Sequence, residues 1–330
     1  MTERSLERDE GGGELEAAPL VSIVILSYNR PKELASALDS VLAQTYQNTE
    51  VLVIDNRSPA SGEVAELVRS RPRAALIANT ENLGFTGGMN QGLALARGKY
   101  VHLTEDDITM HPECVRYLVN HLEANEDVAL ASGVMLNPDE TVRCAGGIVR
   151  LDSIYRSEII GAGRSFDALE RTVPYDVSYV PGAFICVRKS LLADIGAFND
   201  DFYMYFEDTE LCARVLKAGY KVRVIPNAHV LHAEPPTGDA PDYVTFHRYK
   251  NFLAMYLIHA DLKVLPEFVL RSVVLAGVRN IASKSPHLRQ QVAAWKWAAR
   301  HLPKLLEERK RVKHLSARHA SRRSNPPARA

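Results

Sequence analysis

The 330-residue chain has four cysteines, Cys114, Cys144, Cys186 and Cys212, and no C-x-x-C pair among them. That spacing argues against a zinc site and gives no disulfide framework. Long apolar runs are also missing: no window reaches the about 18 uninterrupted apolar residues of a membrane span. The opening stretch "MTERSLERDEGGGELEAAP" is polar and glycine-rich. It has no apolar h-region, so it reads as neither a signal peptide nor an anchor. The glycine-rich turn "ENLGFTGGMNQG" lacks the Gly-Lys-Ser/Thr ending of a P-loop and does not fit G-x-G-x-x-G. Net charge is absent as well, at a formal zero. These absences leave an expectation of a reducing, cytoplasmic setting and an ordinary folded core.

The zero net charge hides an asymmetry. Residues 1–18 hold six acids and two basic residues, whereas Lys284 to the end holds 13 basic residues and two acids. A mildly acidic body thus carries a basic C-terminal region. It suits an anionic partner such as a membrane surface or nucleic acid, or it is a solvated helix with a frayed end.

Between these ends the pattern is α/β. "LVSIVILS" is a nearly all-apolar run, as expected of a strand buried on both faces. "NRPKELASALDSVLAQ" follows, with Pro31 suited to a first helical turn and Leu34, Leu38, Val41 and Leu42 on one face. "EVLVID", "AALIAN", "YVHLTE" and "VALASGVML" repeat the strand pattern with helices between them, including "HPECVRYLVNHLEAN" with Pro112 in its first turn. This alternation predicts a mostly parallel sheet with helices on both faces. Residues 137–176 are less regular and read as an excursion over the site. "GAFICVRKSLLADIGAF", the helix "DTELCARVLKAGY" and the strand "KVRVIPNAHVLH" close the domain. The expected organisation is a disordered segment over 1–18, a catalytic-type domain over 19–235, a helical extension over 236–315 and a basic disordered tail over 316–330. Within the extension, "DLKVLPEFVLRSVVLAGVRNIA" is amphipathic; it packs on the domain or lies in a membrane interface.

Ligands bind beyond the carboxyl ends of parallel strands. Ser27-Tyr28-Asn29, Asp55-Asn56, Asn82 and Glu105-Asp106-Asp107 all fall at such ends. Adjacent carboxylates there can be kept ionised by Mg2+ or Mn2+, or they form a capping acidic turn. A second acidic group, Glu207-Asp208, follows the aromatic run "FYMYF". Aromatic surroundings raise a carboxyl pKa toward that of a general base; Asp208 is alternatively the cap of the next helix. His232 ends the last strand, as a metal ligand or as a structural histidine.

In this order the motifs resemble those of a family 2 glycosyltransferase of the GT-A fold. "VSIVILSYNRPKELASALDSVLAQ", "EVLVIDNRS", "NLGFTGGMNQGL", the strand-end acids, "GAFICVRKSLLADIGAFNDDFYMYFEDTELCARVLKAGYKV" and "VLH" carry the resemblance, which covers about Val21 to His232. It is similar to the branch containing bacterial rhamnosyl- and galactofuranosyl-transferases. More loosely, "AWKWAARHLPKLLEERKRVKH" resembles the closing helical segment of that branch.

The resemblance implies roles. Ser27, Tyr28 and Asn29 hold the nucleotide, with the Tyr28 ring against the base, and Asp55 accepts the pyrimidine N3–H of a uracil or thymine. Asn82, Gly84, Gly88 and Glu105 lie near nucleotide and sugar. At the family's D-x-D position this chain has Thr104 in place of the first acid. Asp106 becomes the principal ligand for a divalent cation, with Asp107 and His232 beside it. Asp208 matches the catalytic base, with Glu207 as second choice. The implied activity is inverting transfer from a UDP- or dTDP-sugar to a glycan or lipid-linked acceptor, in polysaccharide or glycoconjugate synthesis. A sugar-phosphate nucleotidyltransferase is the alternative enzyme, but "SYNRPKELAS" lacks its glycine-rich first loop. A nucleotide-sugar-binding module without catalysis is favoured by Thr104 and opposed by Glu207, Asp208 and His232. No specific nucleic-acid partner is expected.

Overall fold

The computed structural model describes residues 18–152, 156–233, 241–283 and 286–324. The disorder expected before Ala18 and after Ser324 lies outside these residues. The strands are β1 (Val21–Ser27), β2 (Thr49–Asp55), β3 (Ala74–Ala78), β4 (Tyr100–Glu105), β5 (Ile108–Met110), β6 (Val128–Leu136), β7 (Val142–Cys144), β8 (Gly147–Arg150), β9 (Arg156–Ile159), β10 (Tyr175–Val177), β11 (Phe184–Arg188) and β12 (Lys221–His232). The helices are α1 (Pro31–Leu42), α2 (Ser61–Arg69), α3 (Gly84–Leu95), α4 (Cys114–Ala124), α5 (Leu192–Ile195), α6 (Glu207–Lys217), α7 (Asp242–His259), α8 (Leu265–Val269), α9 (Ala276–Ala282), α10 (Leu288–Arg300) and α11 (Leu302–Ser324). A π-helical stretch, Leu270–Leu275, joins α8 to α9. Helix α11 runs past residue 316, the expected start of the tail, as far as Ser324.

Ten strands form one sheet in the order β10-β12-β6-β11-β4-β1-β2-β3, with β5 on β12 and β7 on β6. β1 is parallel to both β2 and β4, and β2 is parallel to β3. β12 and β6 are also parallel, while β11 runs antiparallel between β4 and β6. All seven residues of β1 are buried, as its apolar run predicts. Successive side chains alternate between two cores, because strand period is two. Ile23 and Ile25 meet Leu34, Leu38 and Leu118 on one face; Val24 and Leu26 meet Met89, Leu93 and Leu211 on the other. Each such fully buried side chain contributes about 1.5–3 kcal/mol.

One predicted boundary moves. Helix α4 begins at Cys114, so Pro112 precedes it, in a turn where the Cys114 N–H donates to His111 O at 2.9 Å. The helical extension packs its own small core, with Tyr256 and Phe268 stacked at 4.1 Å. A further cluster joins Phe202 to Ala254, Ile258, Leu305 and Val312, which docks the extension against the loop before α6.

Candidate active site

The parallel strands deliver their polar ends to one rim, and a chain of hydrogen bonds ties those ends together. Past β1, the Tyr28 N–H donates to Asp106 Oδ2 at 2.9 Å and the Asn29 N–H to Ser58 Oγ at 2.8 Å. Asn29 holds φ at 60°, a left-handed conformation that turns the chain sharply out of the strand. Asp55, fully buried at the end of β2, accepts the Ser58 N–H at 2.9 Å and the Ser61 hydroxyl at 2.5 Å. The Tyr28 ring stays half exposed. Asn82 Oδ1 accepts from Asn56 Nδ2 at 3.0 Å, the Gly84 N–H at 2.8 Å and the Tyr203 hydroxyl at 3.2 Å.

The glycines of the turn have separate roles. Gly84 opens α3 with φ +70°, and a Cβ there would stand 2.4 Å from the Tyr203 ring. Gly88 is buried against Leu26, where a Cβ would come within 2.4 Å of Cδ1; it packs α3 onto β1 and does not line the cavity. The Thr86 N–H is also taken, by Tyr203 O at 3.1 Å. Protein partners thus use two of the helix's first N–H groups.

At the end of β4 the three acids part company. Glu105 is half buried and lines the cavity. Asp106 is buried, and burial pushes its carboxyl up to about 7 against the opposing Tyr28 N–H and Ser27 hydroxyl. Burial acts on Asp107 in the same sense, but its His232 partner and Arg30 more than offset it and hold it below the ordinary value. Asp107 Oδ2 lies 3.3 Å from His232 Nε2 and meets the Arg30 guanidinium, whose Nη1 is 3.8 Å from Asp106 Oδ1. The structure therefore brings Asp107 to His232 and to Arg30, while Asp106, expected as the principal ligand, turns its Oδ2 to the Tyr28 N–H. Residue type gave no cue to Arg30, which follows Asn29 directly in "SYNRP"; only that adjacency to the strand end could have singled it out.

Among the described residues, no group of three or more His, Cys, Asp or Glu side chains forms a ready metal cage. The donors still fit a hard divalent cation in kind. Asp107 Oδ1 is buried with no hydrogen-bond partner among the described residues, and Mg2+-like ions are commonly held by one or two carboxylates plus substrate phosphates.

The second acidic group lines the same cavity, of about 1070 Å³, whose walls include Arg30, Glu105 and His232 together with Tyr179, Glu207 and Asp208; the Glu105 charge is near enough to Glu207 to raise it. Helix α6 begins at Glu207 with Phe206 as its left-handed cap, so Asp208 is inside the first turn and is not the capping residue. Burial raises the Asp208 carboxyl, while N–H donors from Gly182 (3.1 Å) and Thr209 (2.6 Å) favour its ionised form. Glu207 is pushed well up by burial and by the Asp208 charge, and its Oε2 has no partner among the described residues. Burial raises both carboxyls, and the N–H donors on Asp208 favour its ionised form over that of Glu207.

Sequence reasoning missed what holds this acidic pair in place. Tyr203, Tyr205 and Phe206 all have positive φ, between 64° and 66°, a costly conformation for aromatic residues. Asn251 of α7 donates its side-chain amide to the carbonyls of Phe202, Met204 and Tyr205 at 2.7–2.8 Å. Helix α7 also brings Arg248, Tyr249 and Phe252 to the cavity wall, and the excursion adds Val149 and Ile159.

The comparisons with known proteins fit this geometry. The family model described as Glycosyl transferase family 2 matches residues 22–196. An uncharacterized glycosyltransferase of Haemophilus influenzae is 27% identical over 208 residues, 62% of each chain. Galactofuranosyltransferase GlfT1 of Mycobacterium tuberculosis is 30% identical over 218 residues, 64% of this chain and 69% of that one. Among solved structures, GalNAc-T7 with UDP, GalNAc and Mn2+ superposes with a TM-score of 0.59 at 14% identity, covering 82% of this chain and 59% of that one. The Pyrobaculum calidifontis mannosyltransferase PcManGT, in complex with GDP-Man and Mn2+, gives 0.54 at 18% identity, covering 92% and 88%. The strand-end rim, the sheet order and the matched span agree: the chain belongs to glycosyl transferase family 2 and has the GT-A fold.

Proposed function

We propose that the protein is an inverting glycosyltransferase that moves a hexosyl or pentosyl group from a UDP- or dTDP-sugar to an acceptor hydroxyl. The observation that carries this reading is one cavity lined by Arg30, Glu105 and His232 together with Asp208. Arg30 and His232 suit a diphosphate, and Asp208 suits an acceptor hydroxyl. By the family resemblance Asp55, at the end of β2, would accept the N3–H of a uracil or thymine beside its bonds from Ser58 and Ser61, and the half-exposed Tyr28 ring would stack on the base. Asp106, Asp107 and His232 would hold Mg2+ or Mn2+, which when bound neutralises charge developing on the departing nucleoside diphosphate.

Asp208 takes the proton from the acceptor hydroxyl. The acceptor oxygen forms its bond to the anomeric carbon as the bond to the diphosphate oxygen breaks, with inversion and no covalent sugar–enzyme intermediate. Glu207, carrying a proton, adds no second negative charge beside the attacking oxygen. Arg30 lines the cavity and offers its positive charge to the diphosphate. A cytoplasmic setting fits a nucleotide-sugar donor, and the acceptor is a glycan or lipid-linked sugar of a polysaccharide or glycoconjugate, met at the inner face of the membrane.

The test is a donor screen that follows release of UDP or dTDP with Mg2+ or Mn2+ and candidate acceptors. Acceptor-dependent release from one pyrimidine-nucleotide sugar is the expected result. Tight nucleotide binding with no turnover for any donor would leave a binding module in its place.

A further inference from the structure

The helical extension leaves one face uncovered. Over residues 262–282 only Val264, Phe268, Gly277 and Asn280 are buried. These seat the segment on the rest of the extension: Phe268 stacks on Tyr256 of α7, and a Cβ at Gly277 would come within 2.7 Å of the Trp295 ring of α10. On the outside, Leu270, Val274, Val278 and Ile281 recur at spacings of four, four and three, with Val269 and Leu275 flanking them. All six are 43–64% exposed. Such spacing makes one continuous helical stripe, and contiguous exposed apolar patches of this kind mark interaction sites.

Charge decides between occupants. From Phe268 to Leu306 the sequence has seven Lys or Arg residues and no Asp or Glu. Arg271 and Arg279 are exposed alongside the stripe, Arg271 in an exposed 2.9 Å pair with Glu267, the residue just before this window. An identical copy of the chain would bring the same positive charges face to face, whereas an anionic lipid surface would neutralise them. No described helix is long and apolar enough to cross a membrane, so the stripe can lie in the interface but not span it. Its position also connects to the cavity: His287, between α9 and α10, and Arg248, Tyr249 and Phe252 of α7 all line the cavity wall.

We propose that the exposed stripe of α8, the π-helical stretch and α9 inserts into the interface of an anionic bilayer, setting the cavity beside the membrane so that it receives a lipid-linked acceptor. This rests on the glycosyltransferase reading for the acceptor, but the membrane contact is read independently of turnover. The experiment is co-sedimentation of the full chain with phosphatidylcholine vesicles and with the same vesicles containing phosphatidylglycerol, at low and high salt, beside size-exclusion chromatography with light scattering. Binding only to the phosphatidylglycerol vesicles, weakened by salt, is expected. The Val274→Asp/Val278→Asp double variant should lose it, and Arg271→Gln/Arg279→Gln should lower partitioning by roughly thirtyfold. Both pairs are exposed and outside the cavity, so nucleotide release with a water-soluble acceptor should stay unchanged. Wild-type protein that ignores anionic vesicles, or aspartate variants that still bind them, would overturn the proposal. So would a dimer that the aspartate pair dissociates while wild-type protein binds no vesicles. Failure of the donor screen with intact vesicle binding would instead count against the acceptor reading alone.

Discussion

The backbone N–H of Gly182 donates to Oδ2 of Asp208 at 3.1 Å, tying the approach to β11 to the first turn of α6. This bond fixes a carboxylate that is raised by burial yet still hydrogen-bonded for ionisation. Asp208→Asn keeps the shape and removes the base. Turnover should fall by about 10²–10⁴-fold, with nucleotide binding preserved in calorimetry. A base works when deprotonated, so a raised pKa means that activity falls with falling pH, starting above the usual aspartate range. The acid limb of the pH–rate profile should reflect that group in the wild type and vanish in the residual activity of the variant. Near-normal turnover in Asp208→Asn would transfer the base role to another group.

Asn251 should matter without touching substrate. Its amide restrains three consecutive-turn carbonyls of the loop that feeds Glu207 and Asp208. Asn251→Ala removes the shared side-chain donor, although Phe202 O keeps the Met204 N–H at 2.7 Å; the change costs about 1–3 kcal/mol and lets the positive-φ loop relax. The expected signature is a lower kcat with little change in the donor KM, partly rescued by Asn251→Gln. An equal loss of stability with unchanged kcat would reduce Asn251 to a packing role.

Arg30 occupies the place where positive charge is needed between Asp106 and Asp107. Removing it leaves Asp107 with His232 and Asp106 with the Tyr28 N–H, and takes away a full positive charge beside them. Arg30→Ala should destabilise the protein by an amount between the about 1 kcal/mol of an exposed pair and the about 3–5 kcal/mol of a buried one. A divalent cation bound at these acids would restore part of the loss by mass action. Thermal melts with and without Mn2+ should therefore show a larger Mn2+-induced rise in Tm for Arg30→Ala than for wild type. Equal rises would separate Arg30 from the cation site.

The rim was legible in the sequence for a physical reason. Strands buried on both faces are continuous apolar runs, so the first polar residue marks the strand end. Parallel topology sends those ends to one edge, which locates Ser27, Asp55 and Glu105 without coordinates, whereas Asn82 lies four residues past the end of β3. What escaped depends on tertiary docking. Asn251 lies 49 residues from Phe202 in sequence and acquires its partners only when the helical extension closes on the domain. The division of charge between Glu207 and Asp208 also escaped, because it turns on which carboxylate meets the Gly182 N–H. The resemblance sets Gly88 near the nucleotide and sugar, but in the structure it packs closely on Leu26.

A pH effect on stability should come from another buried charge cluster. Glu210 accepts from Arg214 Nε at 2.9 Å and lies 3.0 Å from His259 Nε2, with all three side chains buried. Although burial alone would raise it, the Arg214 charge and the His259 hydrogen bond lower Glu210 to about 2. A folded value below the unfolded one of 4.5 means that the folded state binds fewer protons. The stabilisation is therefore present above pH 4.5 and is lost as pH falls toward 2. Its size is on the order of 3 kcal/mol at neutral pH. His259, held below its ordinary 6.5 chiefly by burial, acts in the same sense from about pH 6.5 downward. Urea midpoints measured from pH 7 to pH 3 should decline in wild type. In Glu210→Gln, neutral-pH stability should drop by about 3–5 kcal/mol, because Arg214 is left buried without its counter-charge. The part of the decline below pH 4.5 should flatten. A Glu210→Gln variant with the wild-type pH dependence would show that other carboxylates govern acid unfolding.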